Sequence, residues 1–334
     1  MLAFLYHRWF LLALLAVLVA GITWPATMQP AARWLPGDAI VAVVTFIMAL
    51  PLETAALWKA VRRPGPAWLA AGINSGLAPP LGWLASRVLP PELAIGLVLT
   101  TTVPCTLATA AVWTRRAGGN DAIAFLVTMF TNLACFVVVP VWLWLLIGLR
   151  ADVDYRRIVL GLMGLVVLPI LAAQLLRQWR SIGSVATRHK FFLSALAQCG
   201  VLLIVFVGAV NCGEKLSSIE NGSVLAAGPI LLMIAAVVAV HVVLLATGFG
   251  LSRAAGIHRA GAIAVAFSGS QKTLMVGAYL ALAVGPLAIL PMVAYHAAQL
   301  VIDTLVADWL RQPTAASAGS AHTSNSESSA AADL

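Results

Sequence analysis

Long runs of apolar residues constrain the fold of this chain more than any other feature of its sequence. Examples are the runs from Leu11 to Ile22 and from Val224 to Gly250. Only helices and closed barrels can span a bilayer, because its hydrocarbon core offers no water to satisfy backbone groups. Barrel strands alternate apolar with polar residues, so continuous apolar runs predict transmembrane helices. The composition agrees, since 10% of the residues are charged and soluble domains carry about 25%.

Charged residues, proline and glycine divide the chain into ten predicted spans of roughly 20 residues, the length that crosses a bilayer. We therefore expect an all-α polytopic membrane protein with one transmembrane domain over residues 1–311. The Ser- and Ala-rich segment 312–334 cannot bury a core, so we expect a disordered cytoplasmic tail. The predicted spans are 9–27, 38–57, 67–86, 92–112, 121–148, 158–176, 191–210, 224–250, 260–282 and 286–309.

Basic residues are distributed unevenly between the two ends of these spans. One side holds thirteen Lys and Arg residues, the other holds six, and Lys272 lies within a span. Cytoplasmic loops carry the excess, so the count places both termini in the cytoplasm of what we expect to be a bacterial cell. Topology therefore explains the net charge of +8, and no nucleic-acid partner is predicted. A signal peptide cleaved after Ala26 is the alternative for the N-terminus, and the charge count favours a retained helix.

Lys272 is the most informative single residue. No other Asp, Glu, Lys or Arg occurs between Ala260 and Ile302, which places Lys272 near the middle of span nine. An ammonium group at that depth costs at least ~2.5–3.5 kcal/mol. A polar cavity, an ion pathway or an anionic ligand must therefore compensate its charge.

Helix breakers interrupt spans four and nine at corresponding positions. Span four contains Pro104 and span nine contains Gly269, each within a cluster of small and polar residues. The interruptions recur at an offset of five spans, and because five is odd, the second half is inverted relative to the first, which predicts two inverted repeats. Broken helices that meet in mid-membrane form ion and substrate sites, because their freed backbone groups must line a cavity or be buried in protein. The alternative is that these residues only allow close helix packing.

Polar residues in spans three and five are candidates for the same site. Asn74 precedes Pro79–Pro80, so it either faces the cavity or makes a structural hydrogen bond. Thr128, Thr131 and Asn132 share one side of span five through their i, i+3, i+4 spacing. They form either an ion-facing stripe or interhelical hydrogen bonds.

Span ten and span eight contain the buried histidines. His296 and Gln299 are i, i+3 neighbours, and we expect both to face the cavity. His241 stands alone in span eight, and we expect it to be a packing residue. The cysteines have no metal-ligand spacing, so no metal site is predicted. They are Cys105, Cys135, Cys199 and Cys212.

Several of these segments resemble the SBF-like branch of the bile acid:sodium symporter superfamily. The most specific are Gly-Ser-Gln-Lys-Thr in span nine and the later Tyr-His-Ala-Ala-Gln-Leu in span ten. The resemblance runs from span two to span ten. The segments that carry it are Met48–Thr54, Pro80–Trp83, Val103–Thr106, Ala117–Asn120, Gly269–Thr273 and Tyr295–Leu300.

The resemblance implies a ten-helix fold of two inverted five-helix repeats. It implies a panel domain (spans 1, 2, 6 and 7) and a core domain (spans 3–5 and 8–10), with broken helices four and nine crossing in the core. A small organic anion would bind in the crevice between these domains, which face membrane lipid. Sodium, as Na+, would bind behind the crossing as a coupling ion, and no cofactor is implied.

The sodium ligands of that family carry over in part. Gln271 matches the family glutamine, but Phe267 stands where a glutamate is expected and Ala110 where an asparagine is expected. Lys272 occupies the position of a neutral amide. The candidate ion ligands are Asn74, Thr109, Thr128, Thr131 and Gln271. The candidate substrate ligands are Thr106, Lys272, His296 and Gln299.

These sequence features predict a secondary active transporter that moves a small organic anion by alternating access. The missing glutamate and the added Lys272 shift the core by two charge units toward positive, which disfavours sodium. Lys272 would either replace a coupling cation or pair with the substrate, and proton coupling is an alternative. A hypothesis from another class is a membrane-embedded hydrolase, because Ser268 and Lys272 are i, i+4 and a Ser–Lys pair can act as nucleophile and base.

Overall fold

The structure is a computed structural model that describes residues 2–52, 64–107, 109–148, 154–218 and 226–311, with side chains from Trp9 onward. All secondary structure in these residues is helical. The end of the second predicted span and the predicted tail over 312–334 lie outside the described residues.

The α-helices are numbered here in chain order. They are α1 (Leu2–Thr23), α2 (Pro25–Trp34), α3 (Gly37–Ala49), α4 (Gly65–Gly72), α5 (Ala78–Ser86), α6 (Pro91–Thr102), α7 (Thr109–Arg116), α8 (Asp121–Leu146), α9 (Tyr155–Leu162), α10 (Leu168–Arg177), α11 (Arg180–Arg188), α12 (Lys190–Ser217), α13 (Ala227–Ala254), α14 (Arg259–Ser270), α15 (Leu274–Val284) and α16 (Ile289–Leu310). Two π-helical turns, Ile73–Leu77 and Met163–Val167, join α4 to α5 and α9 to α10.

The helices make the chain an integral, multi-pass membrane protein. Within the described residues, five helical segments are long and apolar enough to cross a membrane, or six if α1 and α2 count as one bent span. The prediction of ten spans is therefore supported only in part. Spans four and nine are not among these segments, because each consists of two short helices. The five segments are Asp121–Leu146, Tyr155–Arg177, Lys190–Ser217, Ala227–Ala254 and Pro286–Leu310.

The predicted end of span one, at residue 27, is wrong. The first helix ends at Thr23, and the segment Pro25–Trp34 turns away from it by 113°. Pro25 causes this turn, because it restricts the preceding residue and suits the first position of a new helix. Trp24 accordingly leaves the helical region, with φ −124° and ψ 52°.

The helices pack in two sets, which together position the broken helices. In the first set α12 packs against α1, α2 and α3, and α3 packs against α10. In the second set α14 packs against α4, α7, α8 and α13, while α16 packs against α6 and α13. The contact of α13 with α14 is especially close, because a methyl group on Gly248 would lie 2.6 Å from the Cα of Ala266. The helices α6, α7 and α14 of the interrupted spans belong to this second set, whereas α15 packs against both α12 of the first set and α16 of the second.

Candidate functional site

Both predicted interruptions are present, and they touch. The first break, residues 103–107, follows α6, and the second break, residues 271–273, separates α14 from α15. Val103 is extended, with ψ 154°, because a residue before proline avoids the helical region. Gln271 and Thr273 are extended as well, with ψ of 141° and 122°. The Thr273 N–H donates to the Pro104 carbonyl oxygen at 2.9 Å, which joins the two breaks.

Lys272 is 1% exposed, and its ammonium group is surrounded by protein oxygens. The Nζ atom donates to the Asn74 carbonyl oxygen at 2.6 Å, to Asn74 Oδ1 at 3.3 Å and to the Val103 carbonyl oxygen at 3.1 Å. We call these three acceptors the oxygen cage. An ammonium group has three N–H donors, so every donor has an acceptor. Such an oxygen set is typical of sites that hold a hard cation.

The Asn74 carbonyl is available to Lys272 because of the π-turn and the prolines that follow it. The Ala78 N–H bonds to the Ile73 carbonyl, one residue further back than in an α-helix. The same spacing would pair Asn74 with Pro79, which has no N–H. The Ser75 carbonyl is freed in the same way, and it accepts from Trp142 Nε1 at 2.7 Å. Pro79–Pro80 therefore create the acceptor that the buried ammonium uses.

Side-chain donors satisfy the carbonyls that the second break frees. The Asn74 Nδ2 group donates to the carbonyl oxygens of Gln271 at 2.8 Å and Ser268 at 3.1 Å. The Tyr295 hydroxyl donates to the Ser270 carbonyl at 2.7 Å. Gln299 clamps the backbone of Lys272, because its Oε1 accepts from the Lys272 N–H at 3.0 Å and its Nε2 donates to the Lys272 carbonyl at 3.1 Å.

Gln271 connects the second break to the first. Its Oε1 accepts hydrogen bonds from Thr106 Oγ1 at 2.8 Å and Thr109 Oγ1 at 2.9 Å. The Thr106 hydroxyl also accepts from the Ala110 N–H at 3.0 Å, so it caps the start of α7. Gln271 and Thr109, which we predicted as ion ligands, thus form one cluster with Thr106, which we predicted as a substrate ligand.

The structure adds a buried carboxylate that the sequence analysis overlooked. Asp303 on α16 is fully buried; its Oδ2 accepts from Gln271 Nε2 at 2.5 Å and its Oδ1 lies 2.9 Å from His241 Nε2. The carboxylate expected at position 267 is absent, but Asp303 supplies another one to the core, and His241 is not a lone packing residue. Asp303 follows Gln299 by four residues, so the helical period places both on one face of α16. The i, i+4 spacing of Gln299 and Asp303 could therefore have identified Asp303 as a site residue from the sequence alone.

The polar stripe of α8 supports the first break through hydrogen bonds. Asn132 Nδ2 donates to the Cys105 carbonyl at 2.8 Å, and the Thr128 hydroxyl donates to the Thr106 carbonyl at 3.0 Å. The Thr131 hydroxyl accepts from the Cys105 N–H at 3.2 Å. Of the two predicted roles for this stripe, these contacts correspond to interhelical hydrogen bonding.

His296 lies where the two sets of helices meet. Its Nδ1 accepts from Gln299 Nε2 at 2.8 Å, and its ring packs edge-on against Phe10 of α1 with centroids 5.9 Å apart. His296 is 7% exposed, so it lies just beneath the boundary between the sets.

The Ser–Lys hydrolase hypothesis requires a hydrogen bond that is not formed. A nucleophile and its base must lie within hydrogen-bond reach, whereas the oxygen cage takes the donors of Lys272. Ser268 is fully buried, and its hydroxyl has no hydrogen-bond partner among the described residues. The break after Ser270 removes the helical geometry on which the i, i+4 argument depended.

Comparisons with known proteins point to membrane transport. The model of the SBF-like CPA transporter family matches residues 8–312. Sodium/bile acid cotransporter 7-B of Xenopus laevis is 23% identical over 328 residues, which cover 90% of this chain and 91% of that protein. Probable sodium/metabolite cotransporter BASS4, chloroplastic, of Arabidopsis thaliana is 25% identical over 67% of this chain and 54% of its own length. An uncharacterized protein of Pseudomonas aeruginosa is 28% identical over 66% of this chain and 67% of that protein.

Proposed function

The chain belongs to the SBF-like CPA transporter family, and on that premise we propose that it is a secondary active transporter of a small organic anion. The names of its relatives, which include sodium/bile acid and sodium/metabolite cotransporters, support this substrate class. We propose a bacterial inner membrane as its location, with both termini in the cytoplasm, on the basis of the distribution of basic residues.

The proposed mechanism is alternating access. The first set of helices acts as the panel and the second as the core of a fold with ten spans in two inverted repeats, and the core rocks against the panel. The packing of the helices in two sets supports this division, as does the contact between the two breaks. The anion binds between the sets, near His296 and Gln299, with Thr106 and the positive charge of Lys272 contributing from the breaks.

Lys272 serves as a built-in cation that replaces a coupling sodium ion. The observation that carries this proposal is the oxygen cage, which holds Nζ at 2.6–3.3 Å. Two of its three oxygens are backbone carbonyls, the kind of ligand that unwound helices offer to cations. A fixed ammonium group in that position repels sodium and presents positive charge to an anion.

The candidate sodium ligands have other partners, which also supports this proposal. Gln271 Oε1 accepts from Thr106 and Thr109, and the hydroxyls of Thr128 and Thr131 bond to backbone groups. Sodium binding would have to displace these hydrogen bonds. We therefore propose transport without a sodium requirement.

Uptake by purified protein in liposomes tests this function. The probes are taurocholate and a panel of mono- and dicarboxylates, each with an imposed gradient of sodium or of choline. We expect uptake of at least one anion at equal rates in both gradients, and loss of uptake in Lys272→Ala. The variant Lys215→Ala, which removes an exposed lysine at the end of α12, is the matched control. Strictly sodium-dependent uptake that survives Lys272→Ala would refute the built-in cation.

A further inference from the structure

A buried acid–base pair beside the second break has no role in the function described so far. Asp303 and His241 are both fully buried, and their Oδ1 and Nε2 atoms are 2.9 Å apart. They come from different helices, α16 and α13, so the pair exists only in the folded protein. Because a buried carboxylate is costly unless it is paired, its presence among the packed helices of a membrane protein points to a function.

The pair has one open position for a proton. An ionised Asp303 accepts hydrogen bonds, so His241 Nε2 carries the hydrogen between them. His241 Nδ1 is then a lone-pair acceptor, and it is buried without a hydrogen-bond partner among the described residues. Lys272 is different, because each of its three N–H donors already has an acceptor. The geometry therefore favours His241 over Lys272 as the group that gains and loses a proton.

The charges around the pair favour uptake of a single proton. Lys272 and Asp303 carry one charge of each sign, so they balance each other while His241 is neutral. The other titratable side chains buried on the surrounding elements are Cys105 in the first break and Tyr295 and His296 on α16. The remaining charged residues described on these elements lie at exposed helix ends: Glu92, Arg115, Arg116, Arg253, Arg259 and Asp308. A proton on the pair thus adds one positive charge, which the charge of one anion offsets.

Gln271 links this pair to the helix breaks. Its Nε2 donates to Asp303 Oδ2 at 2.5 Å, while its Oε1 accepts from Thr106 and Thr109. A hydrogen bond to a charged acceptor is about twice as strong as one between neutral groups. A proton on His241 makes this ring a positively charged donor that competes with Gln271 Nε2 for the charge of the Asp303 carboxylate. The bond that ties both breaks to α16 is therefore sensitive to protonation of His241.

We propose that His241, held by Asp303, binds one proton in each transport cycle and so couples movement of the anion to the proton gradient. The proton binds at His241 Nδ1, and the carboxylate stabilises the imidazolium that forms. No other covalent bond changes. This inference rests on the proposed transport function, to which it adds the coupling ion.

Two measurements in sodium-free liposomes separate the proton proposal from transport itself. Counterflow of labelled taurocholate, or of each carboxylate in the panel, reports transport without any pH difference. Accumulation driven by an acidic exterior reports proton coupling. We expect wild-type protein to show both, and His241→Gln and Asp303→Asn to lose pH-driven accumulation to the level of protein-free liposomes. The matched controls are His189→Gln and Asp308→Asn, which change exposed residues and should keep the wild-type ratio of the two signals.

Each outcome bears on one of the two proposals. Counterflow without pH-driven accumulation in the wild type would overturn the proton proposal and leave transport standing. Anion accumulation by His241→Gln at the wild-type level would also overturn the proton proposal and leave transport standing. Absence of counterflow for every anion would remove the transport function, and the proton proposal with it.

A direct measurement of proton binding distinguishes loss of the proton site from misfolding of a variant. Size-exclusion chromatography identifies variants that remain monodisperse. For these, proton uptake by the detergent-solubilised protein upon addition of the transported anion is followed with a pH indicator in weak buffer. We expect one proton per bound anion in the wild type and in both controls, and none in His241→Gln. Equal proton uptake by wild type and His241→Gln would assign the proton to another group.

Discussion

The two helix breaks share three hydrogen bonds but satisfy their other freed backbone groups in different ways. In the first break, Cys105 and the Thr106 carbonyl take their partners from uncharged residues of one helix, α8, in Thr128, Thr131 and Asn132, while the Val103 carbonyl accepts from Lys272. The second break draws on the π-turn and on α16, and both buried charges adjoin it, Lys272 directly and Asp303 through Gln271. The first break is thus held as a fixed support, whereas the second holds the groups whose charge can change. Changes at the second break should therefore cost more stability and more transport.

Removal of the buried carboxylate should have the largest effect. Asp303→Leu leaves Lys272 without a balancing charge and His241 without its partner, and loss of one member of a buried charge pair costs about 3–5 kcal/mol. We expect a decrease of that size in the free energy of unfolding, measured in detergent. The matched control is Asp308→Leu on the same helix. Its ion pair with Arg116 is exposed, and exposed pairs contribute about 0–1 kcal/mol. Equal decreases in the free energy of unfolding of the two variants would show that burial of the charges at the second break does not affect stability.

The two asparagines that serve the breaks allow a direct comparison. Asn74→Leu leaves the Gln271 and Ser268 carbonyls and Lys272 short of partners, whereas Asn132→Leu mainly leaves the Cys105 carbonyl. Each unsatisfied buried group costs about 1–3 kcal/mol. Asn74→Leu should therefore destabilise the protein by at least about 1 kcal/mol more than Asn132→Leu does. The order of the two unfolding midpoints decides this, and a reversed order would contradict the assignment of roles.

A smaller effect is expected from the hydroxyl that joins the breaks. Thr106→Val removes the hydrogen bond to Gln271, and a neutral hydrogen bond contributes about 0.5–1.5 kcal/mol. Thr102→Val is the matched control, because among the described residues that hydroxyl bonds only to the Leu99 carbonyl of its own helix. In double-mutant cycles with Gln271→Leu, Thr106 should show coupling and Thr102 should not. Independent effects of Thr106 and Gln271 would argue against a link between the breaks.

Local sequence rules predicted both breaks. Pro104 removes a donor and forces Val103 into an extended conformation, and Gly269 and Lys272 disfavour a regular helix in an otherwise apolar segment. The same rules explain the turn at Pro25, which we overlooked because the apolar run continues past Thr23. Local chemistry thus fixes where a helix is interrupted.

Partners from distant segments could not be predicted in this way. Asp303 and His241 are 62 residues apart in the sequence, and only the packing of α13 against α16 brings them together. Asp303 also lies near the end of span ten, where a charge is expected at the membrane surface. The oxygen cage of Lys272 likewise depends on a π-turn nearly 200 residues away, which sequence patterns do not reveal.

The sodium response of the unfolding temperature tests the central claim most directly, because it needs no known substrate. Wild-type protein and Lys272→Ala are heated in detergent with equal concentrations of sodium chloride or choline chloride, and Lys215→Ala is the control. If Lys272 acts as a built-in cation, the wild type and the control unfold at the same temperature in both salts. Sodium should stabilise Lys272→Ala, because the ion can occupy the vacated oxygen cage. Sodium-specific stabilisation of the wild type, with none gained in Lys272→Ala, would contradict the account.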